Sequence, residues 1–202
     1  MKKTNLFSAL ILLSAAGSLK GQLVPNGGMT LTSAFRGIFR PVIGAGAEYE
    51  ATGPTGRTYV ADMAVVAKHT AKQTDGYWIQ VSSDNPLPDT VTEVLVVGDG
   101  PEMHSVTMSL NSGGRGAVTV PVDSANSVKA PEPVDIRTVS DDLGSESVTV
   151  PAGTFSCEHY RTKDGTDEWV ADAISPFGLV KVTGKQDNYV LVKILSNVKN
   201  KI

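Results

Sequence analysis

Apolar and polar residues alternate along much of this chain. In Tyr77-Trp78-Ile79-Gln80-Val81, Tyr77, Ile79 and Val81 fall on one side, Trp78 and Gln80 on the other. Residues 105–110 repeat the pattern with Val106, Met108 and Leu110. A period of two marks a half-buried β-strand. Residues 41–52, residues 58–69 and Thr90–Val97 are further strand candidates, rich in Val, Ala and Thr. Turn clusters separate them: Gly53-Pro54-Thr55-Gly56, Asp84-Asn85-Pro86, Gly98-Asp99-Gly100-Pro101 and Asn111-Ser112-Gly113-Gly114. A short strand at 117–122 precedes a small, polar, proline-containing stretch, 124–133, that reads as a surface loop. Strands opening near Val134, Ser147, Thr154, Glu168, Gly178 and Asn188 complete the series. Roughly ten to twelve strands at this spacing predict an all-β fold whose sheet curls or closes.

Helix competes only in 31–39 and at Thr90–Val97, which leaves room for one or two short helices. Val and Thr lose χ1 freedom in a helix but pack well on a pleated surface. Twenty glycines and eleven prolines interrupt the chain too often for long helices. Trp78 and Trp169 sit mid-strand, where core packing accounts for both.

The N-terminus adds a destination. Lys2 and Lys3 precede an apolar run, 6–16, and then the small residues Ala15, Ala16, Gly17 and Ser18. That order is a secretory signal peptide, too short to anchor in a bilayer. Cleavage after Ala16 or after Gly21 fits; the second makes 1–21 the leader and 22–202 one half-barrel-like β domain, long enough for its own core. Without Lys2, Lys3 and Lys20, 15 of the 18 basic residues remain against 21 acidic ones, a formal net charge of −6. That balance argues against nucleic acid and anionic membrane surfaces as partners. No later apolar run reaches spanning length. The expectation is an exported protein, in the periplasm first, with an extracellular location as the alternative.

Candidate chemistry is sparse. The lone Cys157 excludes an intramolecular disulfide. At strand period Phe155, Cys157 and His159 share one face. A thiolate–imidazole catalyst needs the two groups in hydrogen-bond reach and an oxyanion hole. Residues two apart on a strand sit about 6–7 Å apart, and no oxyanion element accompanies them. A buried core thiol is therefore expected. His69, His104 and His159 show no metal-ligand spacing, so neither metal nor cofactor is expected. Gly53–Arg57 and Gly113–Gly116 do not match a phosphate loop, and no G-x-S-x-G elbow is present. Asp141-Asp142 and Asp167-Glu168 read as solvated surface. No catalytic residue is expected, and the protein reads as a non-enzyme.

The C-terminal third carries Val150-Pro151-Ala152-Gly153-Thr154-Phe155, then Glu168-Trp169-Val170, then Ser175-Pro176-Phe177-Gly178-Leu179-Val180-Lys181. This succession resembles a recurrent module of exported bacterial proteins. Residues 56–82, with Asp75-Gly76-Tyr77-Trp78, look like its matching N-terminal half. The layout, over 40–194, is similar to the periplasmic lipoprotein-carrier superfamily and its relatives. The resemblance implies a strongly curved antiparallel sheet, an incomplete barrel, whose concave face holds a lipid or a lipoprotein acyl chain. The helices that plug the half-barrel in the carriers are not evident here. On that reading the ligand-lining positions are Tyr77, Ile79, Val106, Met108, Leu110, Trp169, Leu179 and Val192. An uncovered apolar face of that kind marks a binding site. The alternative is a cell-envelope structural or interaction module whose sheet edge or loops bind another protein.

Overall fold

The computed structural model describes residues 34–53, 56–71, 74–84, 90–112, 116–121, 131–185 and 188–202. The leader, 1–21, and residues 124–130 of the expected loop lie outside them. The strands are β1 (Arg36–Gly37), β2 (Gly46–Thr52), β3 (Thr58–Ala71), β4 (Thr74–Ser83), β5 (Thr90–Val97), β6 (His104–Ser112) and β7 (Val118–Pro121). After these come β8 (Val134–Asp135), β9 (Ser140–Val150), β10 (Gly153–Thr162), β11 (Asp167–Val170), β12 (Leu179–Thr183) and β13 (Asn188–Leu195).

Eleven strands form one antiparallel sheet in the order β7-β6-β5-β4-β3-β2-β13-β12-β11-β10-β9. The sheet does not close on itself, so the fold is all-β and the barrel incomplete, as the sequence predicts. Two meanders run outward from a central seam, where β2 pairs β13 with Tyr49 opposite Leu191. The chain crosses from one edge of the sheet to the other between β7 and β9. Separately, β1 and β8 form a short parallel pair.

Of the two helical alternatives, Thr90–Val97 is strand, and 31–39 lies partly outside the described residues. Thr90–Val97 pairs β4 and β6 along its whole length. Its β-branched residues gain more from two neighbouring strands than from a helix of their own. In 34–39, Arg36–Gly37 pairs Val134–Asp135. Gly37 has φ 146, and a Cβ there would collide with the Phe177 carbonyl, so only glycine lets the two segments meet. Among the described elements the helical turns are two 3-10 segments, Gly100–Glu102 and Ile136–Thr138.

Two strand starts also move. Residues 41–45 turn before β2 begins at Gly46. β9 starts at Ser140 rather than near Ser147, because Ser-Asp-Asp-Leu-Gly, turn-like by composition, pairs with β10. A bulge absorbs the mismatch: the register shifts between Glu158 and Tyr160, and Gly144 takes φ 93 opposite.

The inner face of the sheet carries Tyr49, Ala61, Met63, Val65, Ile79, Val94, Val182, Tyr189 and Leu191, all buried. Cross-strand pairs such as Ile79 with Val94 keep them on one side. Tyr49 crosses the seam to donate its hydroxyl to the Leu179 carbonyl at 3.0 Å. That satisfies a fully buried phenol, and burial pushes its pKa far above the ordinary tyrosine value.

Candidate functional site

The inner face is where an apolar ligand would sit. Segments outside the sheet occupy it with Phe35, Ile38, Phe39, Ile136, Ile174 and Phe177, each at most 8% exposed. Phe177 is the hub, with ring centroids 5.3 Å from Phe35 and 5.2 Å from Phe39. Phe39 meets Tyr77 edge-on at 5.9 Å. The plug is tied down by backbone: Ile38 N–H donates to Phe177 O at 2.9 Å, and Arg40 N–H to Pro176 O at 2.7 Å. Tilted and T-shaped aromatic contacts of this kind add to the area they bury.

The eight expected lining positions divide by register. Tyr77, Ile79, Met108, Leu110 and Leu179 share the inner face; Ile79, Met108 and Leu179 are part of the closed core, and Tyr77 packs against it. Val106 and Val192 are the extra residues of two bulges, opposite the β5 and β2 register shifts. Trp169 pairs Lys181 and His159 on the opposite face from Glu168. The structure therefore brings five of the eight together and sets three apart. Phe35, Phe39 and Phe177, which carry the plug, escaped the strand-based reading. Phe35 and Phe39 fall in 31–39, where helix competes, and Phe177 falls in the turn before β12, so strand alternation marks none of them.

Beside the plug lies a charged group inside the fold. Glu168 is 2% exposed and accepts from Arg36 Nη1 at 2.9 Å through Oε1. Its Oε2 has no hydrogen-bond partner among the described residues. Burial raises the Glu168 carboxyl above the usual range, and the Arg36 guanidinium opposes the shift. Next to it in register, Tyr160 donates its hydroxyl to Glu158 Oε2 at 2.7 Å. Asp135 caps the second 3-10 turn and takes Arg137 in two contacts, at 2.9 and 2.6 Å. That guanidinium holds the Asp135 carboxyl below its ordinary value. Glu168 and Asp135 each have a guanidinium partner, Arg36 and Arg137, which suits fixing the β1–β8 pair against the sheet.

The cysteine and its neighbours form a separate cluster. Cys157 is 1% exposed, and burial with the nearby Glu146 charge pushes its thiol up to about 11. His159 turns to carboxylates instead: Nδ1 lies 3.0 Å from Glu146 Oε1, and Nε2 2.9 Å from Asp167 Oδ1. Trp169 stacks on the imidazole at 4.4 Å and donates its indole N–H to Glu146 Oε1 at 2.6 Å. Lys181 Nζ stands 4.8 Å over the same indole ring. A neutral, buried thiol and an imidazole committed elsewhere make no nucleophile–base pair. Glu168, expected at the surface, is buried, whereas Asp141 and Asp142 are exposed.

The sheet ends in two unlike edges. β7 is four residues long and closes with Pro121. β9 is eleven residues long, with seven consecutive exposed positions from Asp141 to Ser147. It carries Asp141, Asp142 and Glu146 and ends at the buried Val150. Beyond it, the hairpin tip bends back so that Ala152 N–H donates to Leu191 O at 3.3 Å.

The chain matches no protein-family model and no curated protein sequence. Among solved structures it is similar to a Bacteroides fragilis protein described as exported, with a YmcC-like fold. The identity is 13% and the TM-score 0.37, over 78% of this chain and 99% of that one. A Parabacteroides distasonis protein described as a lipoprotein matches at 13% identity and TM-score 0.37, over 77% of this chain and 97% of that one. No helix among the described residues is long and apolar enough to cross a membrane.

Proposed function

We propose that the protein is an exported, non-enzymatic interaction module that binds an extended, basic segment of another protein along β9. The observation that carries this is a contrast. The inner face is closed by the chain's own Phe35, Phe39 and Phe177, while an eleven-residue strand lies exposed at the sheet edge. A free strand edge offers unpaired backbone groups to an added strand. Asp141 and Asp142 repel the same edge of a second copy and favour lysine or arginine at facing positions. The Cys157 and His159 environments support the non-enzymatic part of the reading.

The test is backbone NMR with a labelled peptide of alternating Lys and Val. Shifts confined to residues 140–149, weakened in a chain carrying Asp141→Asn and Asp142→Asn, are the expected result. Shifts elsewhere, or none, would sink the edge reading.

A second reading is an apolar ligand, lipid or acyl chain, on the inner face. Tyr77 supports it, because it is half-buried against Phe39 at the plug's margin. Such a ligand must displace Phe39. An environment-sensitive apolar dye binding more strongly to the Phe39→Ala variant than to the native chain favours it. Equal, negligible binding to both removes it.

A further inference from the structure

After β13 ends at Leu195, Asn197 takes φ 56 and turns the chain back. Val198 N–H donates to Gly44 O at 2.9 Å. From there the last residues cross the outer face of β3, β4 and β5. Lys201 N–H donates to Gln80 Oε1 at 2.8 Å. Its ammonium lies 3.1 Å from Ser82 Oγ and 3.9 Å from Asp62 Oδ2. Asn200 stands beside Glu93, and its side-chain amide partly offsets the effect of burial on that carboxyl.

The floor beneath is polar and buried. Gln80, Glu93 and Ser109 stand side by side in register across three strands, at 2%, 5% and 5% exposure. Ser109 shares a hydrogen bond with Thr119 at 2.8 Å. Polar side chains held this far from water require polar partners. The tail supplies a backbone N–H, a side-chain amide and an ammonium, the three groups by which an extended peptide is read.

The fit is incomplete at one atom. Glu93 Oε1 has no hydrogen-bond partner among the described residues, and burial raises this carboxyl above its usual range. The tail presents a neutral amide where a buried carboxylate would take a cation. Arginine at that position would supply both the missing donor and the missing charge.

We propose that the outer face of β3–β5 is a peptide groove, filled in cis by the chain's own tail as a placeholder, whose partner is an extended segment with a basic residue at the Asn200 position followed by lysine. The groove is distinct from the β9 edge and stands whether or not that edge binds.

The experiment uses the full chain carrying Lys201→Ala, which loosens the cis tail, and two fluorescent peptides. One has the sequence of residues 196–202; the other is the same peptide carrying Asn200→Arg. Anisotropy is expected to show the arginine peptide binding about ten-fold more tightly, the equivalent of about 1.4 kcal/mol. Amide shifts should fall on β4 and β5, not on β9. Glu93→Gln, checked for native circular dichroism, should abolish the preference. Should that variant not fold, Asn200→Arg placed in cis reads the same contact, because it alters only an exposed tail residue. It should slow amide exchange at Lys201 and reduce binding of both peptides. Equal affinity of the two peptides, or no binding of either, or unchanged exchange in the cis variant, overturns the proposal.

Discussion

The two faces of β3, β4 and β5 are both covered, by opposite chemistry. On the inner side Val65, Ile79 and Val94 belong to the apolar core that also holds the aromatic plug; on the outer side Gln80 and Glu93 meet the amides of a passing tail. The inner contact is non-directional and tolerates shape changes of similar volume. The outer contact depends on individual donors, and one acceptor, Glu93 Oε1, stays unmatched among the described residues. A covered face therefore does not imply an apolar core: the inner side is closed by packing, the outer side by individual polar contacts.

The largest effect is expected at Phe177. Phe177→Ala should cost about 3–5 kcal/mol, since it removes the ring that joins Phe35 and Phe39. Urea unfolding would measure it, and a loss below about 1 kcal/mol would show that the plug collapses without its hub.

Arg36→Ala is next, at about 3 kcal/mol near neutral pH, because it strands the buried Glu168 carboxylate. The folded-state pKa of Glu168 is raised, so the folded chain holds that proton more tightly than the unfolded chain does. Its stabilising contribution is complete below the ordinary glutamate value and is lost as pH rises through the raised one. The Arg36→Ala deficit should accordingly shrink in acid. A deficit that grows as pH falls would contradict the assignment.

On the outer face, Gln80→Leu should cost about 1 kcal/mol through its lost bond to Lys201 N–H. Faster hydrogen exchange at Lys201 is the check. The smallest effect is at Cys157. An alkylating reagent at neutral pH should label it only after denaturation, because the thiol is buried and neutral. Labelling of the native chain would reopen the question of its reactivity.

The alternation at 77–81 was readable because the inner and outer residues there differ in polarity. Thr90–Val97 concealed its pattern because both of its faces are buried, and a run without polar alternation does not distinguish strand from helix. β9 hid its first half for another reason. Asp141, Asp142 and Gly144 have turn chemistry locally, and only pairing with β10 makes them a strand. The plug was illegible because Phe35 and Phe177 lie far apart in sequence, in segments with no regular period. Cys157 was legible as a buried thiol from its apolar spacing. The commitment of His159 to Glu146 and Asp167 was not, since strand alternation says nothing of which neighbouring strands supply carboxylates.

The seam between β2 and β13 joins residues about 140 positions apart, such as Tyr49 and Leu191. Each meander is built from neighbours in sequence, so each can zip up by itself; the junction waits for the last strand to exist. Contact order of this kind slows folding. Until β13 pairs with it, β2 is an open edge, so the seam is the last junction at which the two halves become one sheet.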